Sequence, residues 1–264
     1  MGQWNKIDEL IRHWIKEARE KIILSFETVL DIQTKANVND LVTNMDKDVE
    51  QFFIHNIRSE FPEHRIMAEE GFGDKFKDLD GVVWIIDPID GTMNFVHQQR
   101  NFFISIGVYH NGVGKLGYLY DVVHDELYYA KAGEGAYCNG KKLSRLKEVL
   151  IENALVGFNA SWVVSNNYMD HHQFIPLVKD VRGTRSYGSA ALEIAYVATG
   201  RLDSYINMRL APWDIAAGKI IIEELGGIVT NLQGEQVNLL ETGSILIAGP
   251  ELHAEIFRKY LKKQ

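Results

Sequence analysis

The chain has 264 residues, 46% of them hydrophobic and 24% charged, and a formal net charge of −8 at pH 7. That is ordinary globular composition, enough for one large domain or two closely packed halves, and the excess of acid removes any electrostatic reason to expect a nucleic-acid partner. A single cysteine, Cys138, excludes an intramolecular disulfide and a cysteine-rich zinc site. No run approaches the ~20 apolar residues needed to span a bilayer. The opening MGQWNKIDELIRHWIKEARE mixes apolar with charged residues and lacks the continuous apolar stretch of a signal peptide. A cytoplasmic enzyme without membrane contact is the expectation.

In chain order, residues 4 to 24 place Trp4, Ile7, Leu10, Ile11, Trp14, Ile15, Ala18 and Ile22 three and four apart, which predicts an amphipathic helix. Residues 25–40 are polar and weakly patterned, an extended or mobile connection. A second helix is expected from Thr43 to Ser59, with Val49, Phe52, Phe53 and Ile57 inward and Pro62 just beyond its end. Val82-Val83-Trp84-Ile85-Ile86 reads as a buried strand that stops at Asp87-Pro88, and Phe102 to Tyr109 as another. Glycines punctuate short β-branched and aromatic stretches between Gly112 and Lys142, the mark of antiparallel hairpins.

A strand at Ala154–Phe158 opens the second half. Helical patterns follow near 166–179 and 188–199, then a strand at Leu202–Ile206 and a helix from Trp213 to Leu225 ended by Gly226-Gly227. Strands are expected at Gly227–Asn231 and Ile245–Ala248, and a last helix from Pro250 to Leu261, with proline in its favoured first turn. The whole predicts layered helices and sheets with a soft boundary near 145–153, giving halves of 1–148 and 149–264.

The most informative segment is Trp84-Ile85-Ile86-Asp87-Pro88-Ile89-Asp90-Gly91-Thr92. Two carboxylates three apart flank a proline that cannot extend a β-ladder, so the chain is expected to turn there and aim both acids at the strand's exit. Gly91 permits close approach, and Thr92-Met93-Asn94 looks like a helix start, whose free N–H groups suit a phosphate. Carboxylates beside such a cradle point to metal-assisted phosphoryl transfer, and oxygen-only ligands favour Mg²⁺ over zinc. The bland alternative has Asp87 capping a turn and Asp90 capping the next helix.

Three further pieces matter only in conjunction with that segment. Glu69-Glu70 would by itself be a solvated pair, and Asp214 in Trp213-Asp214-Ile215-Ala216-Ala217-Gly218 would by itself be a helix cap. Asp46 either caps the second helix or serves as partner to a hydroxyl that activates water. His171-His172 reads as a surface pair and Cys138 as structural. Arg182 and Arg185 read as surface or interface groups, with contact to a second phosphate as the alternative.

The WIIDPIDGTMNF run, the Ala68-Glu69-Glu70 before it and the distal WDIAAG resemble the signatures of the inositol monophosphatase family. The likeness extends to Lys35, Asp40-Leu41-Val42-Thr43 and the Gly133–Gly140 loop. The resemblance implies an αβαβα sandwich of alternating helix and sheet layers, with the active site between two halves. It implies that Glu69, Asp87 and the Ile89 carbonyl bind one Mg²⁺ and that Asp87, Asp90 and Asp214 bind a second. A third, weaker ion would lie near Glu69. Thr92, paired with Asp46, would help deprotonate the attacking water, and the Gly91 and Thr92 N–H groups would hold the phosphate. Two cations ~3.5–4 Å apart can stabilise attacking and leaving oxygens of an in-line displacement, with no covalent intermediate.

Gly188, Ser189 and Ala190 match a family segment that lines the substrate pocket; with Glu69, Ile89, Asp90, Gly91, Thr92, Asn207 and Asp214 they make the expected substrate-contacting set. Inositol-preferring members have glutamate where this chain has Asn207, and an amide loses the charge-assisted part of a hydrogen bond to a ring hydroxyl. Inositol 1-phosphate, fructose 1,6-bisphosphate, the 2′-phosphate of NADP and other sugar or polyol phosphates all stay open. The resemblance also implies a homodimer and sensitivity to lithium. A kinase is disfavoured by the lack of a GxxxxGK loop. A different class, a binding or regulatory protein retaining the fold, would need no hydrolysis at all.

Overall fold

The computed structural model describes residues 2–27, 30–34, 41–166 and 170–261; the sequence-level readings at Lys35 and Asp40 lie outside them. In chain order the elements are α1 (Gln3–Ser25), β1 (Ile32–Thr34), β2 (Leu41–Thr43), α2 (Asn44–Glu60), β3 (Arg65–Ala68), β4 (Val82–Asp90), α3 (Thr92–Gln98), β5 (Phe103–His110), β6 (Val113–Asp121), β7 (Glu126–Lys131), β8 (Gly135–Cys138) and β9 (Lys141–Lys142). Then come β10 (Leu155–Phe158), α4 (Phe174–Asp180), β11 (Gly183–Arg185), α5 (Ala190–Ala198), β12 (Ser204–Leu210), α6 (Pro212–Glu224), β13 (Ile228–Thr230), β14 (Gly243–Ala248) and α7 (Pro250–Ile256), whose last turn widens to a π-turn over Phe257–Leu261.

Strands β3 to β9 form a seven-stranded sheet in sequence order, and a five-stranded sheet runs β11-β10-β12-β14-β13. Alternation along β4 explains the layering, because successive side chains of a strand face opposite sides. Trp84 and Ile86 join α1 and α2 through Ile11, Trp14, Phe53 and Ile57. Val83 and Ile85 face the opposite way, into a core shared with α5, α6 and the inner face of the five-stranded sheet. The outer face of that second sheet is covered by α4 and α7 through Phe174, Leu177, Leu252 and Ile256. Helix, sheet, helix, sheet, helix: the αβαβα order expected from the resemblance is the one observed.

Helices α5 and α6 therefore lie sandwiched between two sheets, and the sequence makes room for them. A Cβ on Gly117 would stand 2.5 Å from the Ala217 carbonyl oxygen, and one on Gly107 3.0 Å from the Ala216 Cβ. Glycine on the sheet against alanine on α6 brings the helix down onto β5 and β6. Ser105 Oγ and Tyr109 Oη fasten its first turn by donating to the Trp213 and Ala216 carbonyls at 3.0 and 2.8 Å.

Several boundaries differ from the sequence-level expectation for identifiable reasons. The helix expected over 166–179 is only α4, preceded by a 3₁₀ turn at His171–Gln173. Pro176 lacks an N–H and is tolerated only in a first turn, which sets the start at Phe174. The strand expected at 202–206 is shifted to β12, because the Asp203 carboxylate is used to accept from the Leu155 N–H at 2.7 Å. On α2, Val49, Phe53 and Ile57 are buried as expected, whereas Phe52 is only partly so.

One buried histidine ties the outer layer to solution pH. His253 on α7 pairs Nε2 with Thr230 Oγ1 at 2.9 Å, and burial pushes its imidazolium down to about 4. The folded state thus prefers the neutral ring, while the unfolded chain takes up a proton near pH 6.5. Stability is expected to fall progressively from about pH 6.5 towards 4, by up to about 3 kcal/mol from this group. Urea titrations of wild type and His253→Gln at pH 7 and pH 4.5 check this: the variant should lose less stability on acidification.

Candidate active site

The site is made by an irregularity in β4. Asp87 pairs with Ser105 of β5 and Asp90 with Phe103, so three steps on one strand oppose two on the other. In a regular strand residues three apart face opposite sides, and the extra residue of a bulge turns the second one back. Pro88, with no N–H to donate, and Ile89 occupy that bulge. The strand does not stop at Asp87-Pro88 as the proline suggested; it continues to Asp90, and both aspartates face the α5/α6 layer.

Asp214 enters from that layer as the third residue of α6, where its Oδ2 accepts the Ala211 N–H at 2.7 Å. It is a helix cap and a member of the acid cluster together. Carboxylate oxygens of Asp87, Asp90 and Asp214 lie within 4.8 Å of one another. Glu69 follows β3, whose parallel register sets Ala68 beside Ile86, and it reaches hydrogen-bond contact with Asp87.

Each of the three aspartates accepts a backbone N–H. Asp87 Oδ1 accepts the Ile89 N–H at 2.9 Å, the turn-capping bond of the bland alternative. Asp90 does not cap α3. It is bound at the start of α5 instead, accepting Ser189 Oγ–H at 2.5 Å and the Ala191 and Ala190 N–H groups at 2.6 and 3.3 Å. Burial, reinforced by Glu69, Asp90 and Asp214, raises the Asp87 carboxyl well above the ordinary range. Burial lifts Asp90 to about 6, against the pull of its Ser189 and Ala191 donors. Burial is the main cause for both carboxyls, and the neighbouring carboxylates add to it.

On the α2 side, Asp46 Oδ2 accepts both the N–H and Oγ1–H of Thr43, at 2.8 and 2.5 Å, closing a capping box. Its Oδ1 accepts the Thr92 hydroxyl at 3.0 Å, and the Ile89 carbonyl stands 3.2 Å from the same hydroxyl. Both sequence-level readings of Asp46, cap and hydroxyl partner, describe contacts it makes. Burial raises its carboxyl, partly offset by the Thr43 and Thr92 bonds.

Two glycines with φ of +97° and +77°, Gly91 and Gly188, let the turns from the two sheets meet. A Cβ on Gly91 would lie 3.0 Å from the Ser189 Cβ, and one on Gly188 3.1 Å from Asn94 Oδ1. Asn94 staples this junction, its Nδ2 donating to the Asn101 and Tyr187 carbonyls at 2.8 and 2.7 Å. Beside it opens a cavity of about 240 Å³ that Asp90, Gly188, Ser189, Ala190, Asn207 and Asp214 line, together with Asn159, Ser186, Glu193, Tyr205 and Leu210. Asn207 is fixed by donating to Tyr205 Oη and accepting from the Arg209 N–H, both at 2.9 Å.

Sequence reasoning missed Asn94, Glu193 and Glu50. Of these, only an acid inside the apolar helix AALEIAYVA, Glu193, left a visible trace. Arg182 and Arg185 are exposed and do not line the cavity. His171 and His172 lie with Asp170 at the surface, the neighbouring rings 4.1 Å apart. Cys138 is half-buried on β8.

Glu50 is fully buried on α2, one turn beyond Asp46, and accepts the Glu70 and Phe72 N–H groups at 2.6 and 3.0 Å. It thereby fixes the turn that carries Glu69. Glu50→Leu is expected to strand both donors and lower the unfolding free energy by about 3 kcal/mol, measurable by urea titration.

The description "Inositol monophosphatase family" belongs to a family model that matches residues 3–264. The chain is 58% identical to the inositol-1-monophosphatase of Bacillus subtilis over 261 residues, which is 99% of this chain and 98% of the relative. It superposes on an inositol monophosphate-bound SaIMPase-II with a TM-score of 0.87 at 40% identity, covering 97% of this chain and 93% of that one. An IMPase/NADP phosphatase complexed with Mg²⁺ and phosphate gives 0.90 at 32% identity, with full coverage of both chains. A bulged strand and a helix start that converge acids on one point, in this sandwich and at these identities, leave one assignment: the chain is a phosphatase of phosphate monoesters and belongs to the inositol monophosphatase family.

Proposed function

We propose that the chain hydrolyses inositol 1-phosphate or a closely related sugar or polyol phosphate with Mg²⁺ and without a covalent intermediate. The observation that carries this reading is the convergence of Asp87, Asp90 and Asp214, three aspartates from the β4 bulge and the α6 start, within 4.8 Å. The donor set fits hard divalent cations: every side-chain ligand is a carboxylate, and Glu69, Asp90 and Asp214 all raise the neighbouring Asp87 carboxyl. Glu69, Asp87 and the Ile89 carbonyl would hold one ion, Asp87, Asp90 and Asp214 a second, and Glu69 would also serve a weaker third. Bound there, the cations lower the pKa of water and neutralise charge on the phosphoryl oxygens.

The remaining residues have their own work. Thr92 and Asp46 form the proton path away from the attacking water. The backbone N–H groups of Gly91 and Thr92, at a helix start, lack intrahelical acceptors and suit phosphate oxygens. Gly188, Ser189, Ala190 and Asn207 face the organic part of the substrate across the cavity. With one acceptor and one donor of its amide already engaged, Asn207 offers a neutral contact, compatible with inositol and also with fructose 1,6-bisphosphate or the 2′-phosphate of NADP.

The division into 1–148 and 149–264 belongs to the same reading. It is supported by the seven-stranded sheet lying wholly before residue 148 and the five-stranded sheet after it. So do a homodimer, lithium inhibition and a cytoplasmic location; no described helix is long and apolar enough to cross a membrane.

The test is phosphate release from inositol 1-phosphate, fructose 1,6-bisphosphate, NADP and an aryl phosphate, with Mg²⁺ and with chelator. Magnesium-dependent release led by inositol 1-phosphate supports the proposal. A lead for another substrate overturns the substrate assignment, and release undiminished by chelator overturns the metal centre.

A further inference from the structure

Glu193 is a glutamate in an otherwise apolar helix, 4% exposed, on the wall of the cavity beside Asp90. Its Oε1 accepts the Tyr187 N–H at 2.8 Å, and the Gly188 N–H adds a second backbone donation. Oε2 has no hydrogen-bond partner among the described residues. A buried carboxyl used on one side only is costly compared with the alanines and leucine around it, and the fold makes a further concession to hold it. A Cβ on Gly157, inside β10, would stand 2.4 Å from Oε2. Glycine in a strand interior weakens the strand; here it leaves the space that the carboxyl fills.

The two N–H groups that Glu193 holds belong to the turn that grips Asp90. The Tyr187 carbonyl is bound by Asn94, Gly188 packs on Asn94 and Gly91, and the next residue, Ser189, donates its hydroxyl to Asp90. Ser189 Oγ also accepts the Leu192 N–H at 3.2 Å, so the turn and the first turn of α5 are locked as one piece. Without the carboxyl behind it, the 187–189 turn keeps its contacts in front but loses the brace that sets their position.

We infer that Glu193 is a positioning residue: by holding the Tyr187-Gly188 backbone it places the Ser189 hydroxyl and the Ala191 N–H on Asp90 and so orients that carboxylate for a cation. The inference rests on the ligand role proposed above for Asp90. Direct partners of metal ligands, as Ser189 and Ala191 are of Asp90, contribute about 10- to 100-fold in metal affinity or activity, and Glu193 acts through them.

The experiment compares wild type with Glu193→Gln, Glu193→Asp and Glu193→Ala as full chains, with folding followed by circular dichroism. Mg²⁺ binding is measured by titration calorimetry, and kcat and KM on an aryl phosphate that makes no use of the sugar-facing wall. Glutamine keeps an acceptor at the same reach and is expected to stay within about threefold of wild type in Mg²⁺ affinity. Aspartate is one methylene too short and is expected to bind Mg²⁺ about tenfold or more weakly, with kcat falling and KM nearly unchanged. Alanine should behave like aspartate; if it does not fold, the aspartate and glutamine pair decides. Wild-type Mg²⁺ affinity in a folded Glu193→Asp, or equal impairment of the glutamine and aspartate variants, overturns the inference. Absence of Mg²⁺ binding in wild type would instead overturn the metal centre itself.

Discussion

Asp87→Asn is expected to make the metal-free protein more stable while abolishing hydrolysis. Asp87 is buried to 1% exposure, and Glu69, Asp90 and Asp214 all raise its carboxyl. Without cations the four acids repel at close range in a poorly solvated place. Asparagine has the same shape and keeps an oxygen for the Ile89 N–H, so the bulge can persist while one charge is removed. A gain of about 1–2 kcal/mol in chelator is expected, or a few degrees in Tm for a chain of this size.

With Mg²⁺ the order should reverse. A cation that binds only the folded state stabilises wild type by about 2.7 kcal/mol at 100 times its Kd. The variant, lacking the acid shared between the two proposed ions, should gain little. Turnover should fall by about three orders of magnitude or more, which corresponds to ~4 kcal/mol of transition-state stabilisation. Melting curves in chelator and in Mg²⁺, with phosphate-release assays on the same preparations, measure all of this. A variant less stable than wild type in chelator would show that the acids are not held in mutual repulsion, and retained turnover would remove Asp87 from the centre.

What could be foreseen from the sequence and what could not divide along a physical line. The α1 and α2 patterns announce their faces because burial repeats with the helical period, and Val82–Ile86 announces a strand buried on both faces because its apolar run is unbroken. The helix expected from Trp213, with Asp214 as its cap, is observed to begin one residue earlier, at Pro212. From the sequence, Asp87-Pro88 reads as a stop, since proline cannot continue a ladder. Only the pairing of Asp87 with Ser105 and Asp90 with Phe103 reveals that the strand resumes. That register, absent from any local pattern, is what places Asp87 and Asp90 on one face.

Glu50, Asn94 and Glu193 escaped for a different reason. Their partners are mostly backbone groups of distant turns: Glu70 and Phe72 for Glu50, Asn101 and Tyr187 for Asn94, Tyr187 and Gly188 for Glu193. A backbone N–H or carbonyl carries no residue identity, so no spacing in the sequence advertises the contact. Gly188, Ser189 and Ala190 would have been as silent on composition alone, and they entered through the family resemblance.

Thr92→Val is expected to lower kcat by about 10²- to 10⁴-fold with KM changed little, the range associated with loss of a positioned proton acceptor. The Thr92 hydroxyl has one proton and two acceptors within reach, Asp46 Oδ1 at 3.0 Å and the Ile89 carbonyl at 3.2 Å. With its own proton directed at them, Oγ1 keeps a lone pair for an incoming water. The hydroxyl can then take the water's proton as it passes its own to Asp46 Oδ1. Burial raises the Asp46 carboxyl and makes it a better acceptor than an exposed aspartate. Its other oxygen is committed to Thr43, so Asp46→Ala would remove the α2 capping box as well, at a cost of about 0.5–2 kcal/mol. Valine at position 92 spares that cap and isolates the hydroxyl. Thr92→Ser, which restores it, should recover most of the rate. Steady-state kinetics on the three proteins, with melting temperatures to show that the fold is intact, separate the roles. A valine variant within threefold of wild-type kcat would mean that the water loses its proton by a route that does not involve Thr92.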